Sequence, residues 1–75
     1  MFNQSKKQTL SNLKESLNAF DIQYSVTGYQ ISFESYPNVI AHIVGVDVVR
    51  VDETDADNDI INQTLMSVEA LALAL

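Results

Sequence analysis

The chain of 75 residues has no cysteine, no tryptophan, one histidine, two glycines and one proline. Without cysteine it has neither a disulfide framework nor a thiolate metal site. His42 has no second histidine with which to hold a metal ion, and no motif marks an activated partner beside it. Two isolated glycines form no glycine-rich phosphate loop. We therefore expect no metal, no cofactor and no enzymatic activity.

Cations are also scarce, with four Lys and Arg against ten Asp and Glu, for a net charge of −6. Residues 1–20 carry three lysines against Glu15, whereas residues 21–75 carry nine acids against Arg50. Because phosphate binding needs clustered cations, direct binding to nucleic acid is not expected. A basic protein surface is the better partner, since complementary fields speed encounter.

Long apolar runs are missing as well. The most apolar stretch, residues 65–75, is too short to span a bilayer and contains Ser67 and Glu69. No N-terminal segment combines a basic start with an apolar stretch, as a signal peptide does. The hydrophobic content of 47% is that of a folded chain. These features predict a single small domain over residues 1–75, cytoplasmic and without a membrane partner.

Two local patterns predict the structure of the first half. Residues 3–19 predict an amphipathic helix, because apolar residues recur every three or four positions. Residues 22–34 predict a β-hairpin with Thr27-Gly28 as its turn, where Gly28 supplies the positive φ that such turns need. The helix stripe is Leu10, Leu13, Leu17 and Phe20, and the apolar hairpin pairs are Val26 with Tyr29, Tyr24 with Ile31, and Ile22 with Phe33.

The middle of the chain predicts a turn over residues 35–38 followed by strands. Residues 39–44 suit a short helix between Pro37 and Gly45, but their β-branched content favours a strand, which is our prediction. The valine-rich residues 46–52 predict a further strand. Gly45 is then either a bulge in one long strand or part of a tight hairpin between two.

The last third predicts a second helix that starts at Asp57 or Asn58 and runs to Leu75. Carboxylates suit the positive end of a helix, and apolar residues again follow a helical spacing. The stripe is Ile61, Leu65, Val68, Ala72 and Leu75. The order is helix, three or four antiparallel strands, helix, which is an α+β two-layer domain.

The acidic run that precedes this helix invites a calcium interpretation. Five of the eight residues 52–59 are acidic, and residues 55–59 begin like an EF-hand loop. Ile60 stands where that loop needs glycine, and Met66 stands where a bidentate glutamate belongs. A solvated loop that caps the helix is therefore the preferred interpretation, with no metal.

Three leucines at the end of the chain, Leu71, Leu73 and Leu75, cover more than half the circumference of a helix. One sheet contact cannot bury all three, so the terminus either inserts between elements or meets a second chain. Leu73 points away from the stripe and is expected to face a second chain or another element. These three leucines are the predicted self-association residues.

In size, acidity and lack of catalytic residues, the chain resembles small inhibitors encoded by phages and mobile elements. Examples are the anti-CRISPR, antirestriction and uracil-DNA glycosylase inhibitor proteins, some of which present acids where DNA phosphates would lie. The pair Glu34-Ser35 at a strand end is similar to the Glu-Ser of the glycosylase inhibitors. The resemblance is one of composition and covers no aligned stretch.

This resemblance implies a binding module whose acids occlude a basic, nucleic-acid-handling protein. The acids expected to form that surface are Asp47, Asp52, Glu53, Asp55, Asp57 and Asp59. The alternative is a homodimeric accessory subunit that associates through the C-terminal helix. In that case the acids serve only to keep the chain in solution.

Overall fold

The computed structural model describes residues 5–75 and has the order helix, five strands, helix. The strands form one antiparallel sheet in which each strand pairs with its neighbour in the chain. The predicted α+β fold is confirmed, although the sheet has five strands rather than three or four. The helices are α1 (Ser5–Ala19) and α2 (Val68–Ala74), and the strands are β1 (Tyr24–Thr27), β2 (Gln30–Phe33), β3 (Tyr36–Gly45), β4 (Val48–Thr54) and β5 (Ile60–Met66).

Both helices lie on one face of the sheet, and the core fills the space between the helices and the sheet. Side chains alternate across a strand, so every second residue of β2, β3 and β4 points into this core. The buried apolar residues are Leu13, Leu17, Ile31, Phe33, Ala41, Ile43, Val49, Val51, Val68, Leu71 and Ala72. No helix within residues 5–75 covers the opposite face, here called the helix-free face.

Helix α1 follows the predicted stripe. Leu13 and Leu17 are fully buried and Leu10 packs at the edge of the core, whereas Phe20 lies beyond the end of the helix and is exposed. Asn3, where the helix was predicted to begin, lies outside the described residues. Neither described helix has the length and apolar character that crossing a membrane would require.

The first hairpin is confirmed, with its turn one residue later than predicted. Val26 pairs with Ile31 and Tyr24 with Phe33, so the turn is Gly28-Tyr29 rather than Thr27-Gly28. Gly28 has φ +60°, and glycine at the first central position is typical of a type II′ turn. The new register moves the pairing by two residues. Because side chains repeat every two residues along a strand, the apolar face is unchanged.

Strand β3 is longer than the sequence suggested. The strand prediction for residues 39–44 is confirmed, but the preceding turn is Glu34-Ser35, and Pro37 lies inside the start of β3. The predicted strand over 46–52 begins at Val48, because residues 46–47 form a turn in which Asp47 has φ +51°. Gly45 therefore belongs to a hairpin, with a register irregularity just before it.

The predicted helix from Asp57 or Asn58 to Leu75 is wrong in its first half. Residues 60–66 form strand β5, paired antiparallel with β4, and only residues 68–74 are helical. Asn58 has φ +66°, so it reverses the chain instead of capping a helix. The helix starts later, at Ser67, whose Oγ accepts a hydrogen bond from the N–H of Ala70 at 3.1 Å. A strand followed by a short helix thus imitates one helical stripe.

Candidate functional site

The six acids predicted to form one binding surface do not lie together. Asp52 is buried, with 4% of its surface exposed, and cannot contribute to an acidic exterior. Asp47 lies in the turn between β3 and β4, at the opposite end of the sheet from residues 53–59. The other four stay together, Glu53 near the end of β4 and the three aspartates in the loop of residues 55–59 between β4 and β5. We call Glu53, Asp55, Asp57 and Asp59 the acidic end.

Asp52 is held on the helix-free face by two cationic or basic side chains. His42 Nε2 lies 3.0 Å from Asp52 Oδ2. Arg50 donates from Nε to Oδ1 at 3.2 Å and from Nη2 to Oδ2 at 3.3 Å. Burying a carboxylate is costly unless such partners satisfy it. The sequence does not reveal the contact between His42 and Asp52 because it runs diagonally across two strands. His42 pairs directly with Arg50, and Asp52 lies two residues further along β4.

This arrangement supports a structural role for His42. A catalytic histidine of the serine-hydrolase type holds an acid with one ring nitrogen and a nucleophile with the other. Here Nε2 contacts Asp52, and within the described part of the chain no hydroxyl hydrogen-bonds to His42. His42 and Arg50 therefore serve to stabilise a buried carboxylate on the sheet.

Asp47 has an internal task as well. Its Oδ1 accepts a hydrogen bond from the N–H of Val68 at 3.1 Å, at the first residue of α2. Its own N–H donates to Oγ1 of the buried Thr9 at 2.9 Å, and Thr9 in turn donates to the carbonyl of Gly45 at 3.0 Å. The carboxylate thus stabilises the positive end of α2 and fixes the turn.

The acidic end is organised by Asp55. Its Oδ1 accepts hydrogen bonds from the N–H groups of Asp57 at 2.9 Å and Asp59 at 3.0 Å, which closes the loop. Glu53 Oε1 accepts from the side-chain amide of Asn62 at 2.9 Å. Asp57 and Asp59 are exposed and make no ion pair that the structure records over residues 5–75. The loop therefore fixes its backbone and leaves two carboxylates facing solvent.

The three aspartates of the loop come close enough to contact one cation. One carboxylate oxygen from each of Asp55, Asp57 and Asp59 lies within 4.8 Å of the others. Calcium takes about six to eight oxygen ligands, and one Asp55 oxygen is already engaged with the backbone. Proximity of three exposed acids alone does not make a metal site.

Strand β5 carries the most unexpected surface. Its apolar residues were predicted to lie in the core, yet Ile61 is 66% and Leu65 is 65% exposed, and Ile60 is also exposed. Arg50 pairs with Leu65 and Asp52 with Gln63, so Leu65 and Gln63 lie on the helix-free face. Beyond them the register shifts at a bulge, where Ile60 pairs with Thr54 and Ile61 is left without a partner on β4. β5 is an edge strand, so one side of its backbone has no partner strand among those described. β-branched Ile60 and Ile61, followed by polar Asn62 and Gln63, were the signal for this strand.

The three C-terminal leucines differ in how deeply they are buried. Leu71 is buried and Leu75 packs partly against the core, where its carbonyl accepts a hydrogen bond from the Tyr36 hydroxyl at 2.7 Å. Leu73 is 69% exposed, as predicted from its angle on the helix. It lines an open groove between α1 and α2 together with the exposed Phe20. Only one of the three leucines is thus fully available to a second chain.

The pair Glu34-Ser35 forms the exposed turn between β2 and β3. Val39 of β3 pairs with Glu53 of β4, which places this turn at the same end of the sheet as the acidic end. Glu34 therefore adds a further carboxylate to that side of the molecule.

Comparisons of the chain with protein-family models, with curated proteins and with solved structures found no match. The function is therefore inferred from the geometry of the chain itself.

Proposed function

We propose that this protein is an acidic protein-protein interaction module whose acidic end binds a basic surface on a partner protein. The observation that carries this proposal is the exposure of the carboxylates of Asp57 and Asp59. Both are exposed, held on a closed loop and without an ion pair inside the described chain. Charges left unpaired at a fixed position favour rapid association with a surface of opposite sign.

The distribution of charge along the molecule strengthens the proposal. Glu34 lies with the acidic end, whereas Lys6 lies over the ring of Tyr29 at the other end of the sheet, with Nζ 5.4 Å from the ring centre. The acidic end and Glu34 are therefore separated from this lysine instead of being paired with it. A basic partner would be drawn towards the acidic end and away from the start of α1.

Apolar surface next to the acidic end supplies what charge alone cannot. Exposed carboxylates are well solvated and add little affinity by themselves, while binding energy concentrates in buried apolar contacts. Ile60 follows directly after Asp59 and is 54% exposed. A partner that covers this isoleucine would exclude water from the neighbouring ion pairs.

The inhibitor form of the proposal is narrower. In it, the partner is a nucleic-acid-handling protein in the cytoplasm, and the acidic end occupies the groove that binds phosphates. With Asp47 and Asp52 engaged internally, the imitation of phosphates would depend on the four residues of the acidic end and on Glu34. This form predicts competition with nucleic acid for the same partner.

A matched pair of double variants tests the proposal. We expect the full chain, immobilised and exposed to lysate of its source organism, to retain a basic protein that high salt releases. Asp57→Asn with Asp59→Asn should lose that protein while the fold survives. Glu15→Gln with Glu69→Gln makes the same change in net charge on the two helices and should retain it.

Two results would overturn the proposal. One is capture that ignores both salt and the loop variant. The other is equal loss in the two double variants, since it would show a response to net charge and not to the acidic end. Addition of duplex DNA to the captured complex tests the inhibitor form, which requires the DNA to displace the protein.

A further inference from the structure

Strand β5 is an edge that lacks the usual protection against pairing. Natural edge strands are shielded by charges, by proline, by bulges or by being short. β5 has seven residues, none of them charged and none of them proline, and its one irregularity is the bulge near Ile60. The other edge, β1, has only four residues. The exposed side of β5 is therefore the place where this sheet can accept another strand.

The charge of the chain indicates which strand that is. Two copies of a chain with net charge −6 repel each other over most of their surfaces. Residues 60–66 are neutral and apolar at three exposed positions, so here two copies can meet without opposing charges. A basic partner, by contrast, gains nothing electrostatic from an uncharged strand. A second copy is the occupant that this neutrality favours.

We propose that β5 pairs antiparallel with β5 of a second copy, about a two-fold axis at Gln63, and joins the two sheets into one. In this register Gln63 faces Gln63 of the second copy, and Ile61 faces its Leu65 twice, once on each side of the axis. Apolar pairs of this kind are the unit of sheet stabilisation. A shift of the axis to Asn62 would set Asp59 opposite Leu65, and a shift to Thr64 would leave Ile61 opposite Ser67. Of these three registers, only the one at Gln63 sets apolar residues opposite each other.

This dimer goes beyond the proposed function and does not depend on it. Antiparallel pairing places the two acidic ends at opposite ends of the paired strands, separated by roughly 23 Å for seven residues at about 3.3 Å each. Parallel pairing would bring them together and is disfavoured by repulsion. The antiparallel dimer keeps both acidic ends open, so a partner with two basic sites could engage both.

Sedimentation of the full chain and of two single variants tests the interface. We expect the wild type to form a dimer that strengthens with salt, because salt screens the repulsion between the two copies. Leu65→Lys should raise the dissociation constant by about tenfold or more, since an edge lysine opposes strand pairing. Leu73→Glu is the matched control on α2: its leucine is equally exposed, and the dimer should persist.

A cysteine pair tests the register independently of these variants. Because the chain has no cysteine, Gln63→Cys should oxidise to a covalent dimer across the axis, where opposite Cα atoms lie about 4.5–5.5 Å apart. Thr64→Cys is the control, since its counterpart would lie about 8 Å away, beyond disulfide reach.

Three results would overturn the proposal: a wild type that stays monomeric at high concentration, a dimer that Leu73→Glu dissolves and Leu65→Lys spares, or equal cross-linking of the two cysteine variants. The first would leave β5 to an extended segment of another protein, and the second would place the interface on α2. The binding of a basic partner, tested separately, is unaffected by any of them.

Discussion

The buried hydroxyl of Thr9 offers the sharpest test of how the helices are held on the sheet. It donates to the carbonyl of Gly45 at 3.0 Å and accepts from the N–H of Asp47 at 2.9 Å. The carboxylate of Asp47 then accepts from the N–H of Val68, the first residue of α2. One side chain of α1 thereby fixes the β3–β4 turn, and through that turn the start of the second helix.

Thr9→Val keeps the shape of the side chain and removes both hydrogen bonds. Leaving a buried backbone group unsatisfied costs about 1–3 kcal/mol. Thr9 is buried, so water cannot simply replace its hydroxyl, but Asp47 is exposed and its N–H can be partly solvated. We therefore expect a loss of about 2 kcal/mol. In a domain of this size that lowers the melting midpoint by roughly 8–16 °C.

Urea denaturation followed by far-ultraviolet circular dichroism measures this loss. Thr9→Ser keeps the hydroxyl, removes one methyl group and should cost only about 1 kcal/mol. Thr27→Val makes the same chemical change at an exposed strand position and should have little effect. If Thr9→Val were no more destabilising than Thr9→Ser, the hydroxyl would not be what ties these elements together.

Three further predictions concern Gly28, Asp52 and the acidic end. Gly28→Val should destabilise by about 1 kcal/mol or more by thermal melting, because φ is positive there although space is open, whereas Gly28→Asn should cost less. Asp52→Ala should lower the free energy of unfolding, measured by urea denaturation, by about 1–2 kcal/mol. This is less than the about 3–5 kcal/mol of a fully buried ion pair, because His42 and Arg50 are partly exposed. Asp57→Asn is the control and should leave stability unchanged, and equal effects of the two variants would place Asp52 at the surface. Millimolar calcium should not change the melting midpoint, since three aspartates bring only one carboxylate oxygen each together at the acidic end, whereas calcium takes about six to eight oxygen ligands; a calcium-dependent rise would establish a metal site.

The elements that the sequence predicts correctly are those specified by local patterns. The spacing of Leu13 and Leu17 is enough to define α1, and alternation is enough to define the faces of the first hairpin. The turn of that hairpin was placed one residue early because both positions put the same side chains inside. Local information thus determines the face of a strand better than its register.

The error at β5 has a different cause. Ile61, Leu65 and Val68 follow a helical spacing, yet two of them belong to a strand and the third to a short helix. Residues 60–66 form a strand because they pair with β4. Such a contact between separate segments cannot be detected from the local spacing of apolar residues. The same holds for the predicted site. Asp52 lies in an acidic run, but His42 on the neighbouring strand and Arg50 two residues earlier on β4 turn it into a buried structural residue.

The measurement that tests most directly whether two copies of this protein associate through β5 is amide hydrogen exchange at increasing protein concentration. In a single copy, alternate N–H groups of residues 60–66 point away from β4 and have no partner strand. We predict that these amides become protected as concentration rises, while those of β1, the other edge, exchange at the same rate throughout. Exchange at β5 that does not change with concentration would contradict the account.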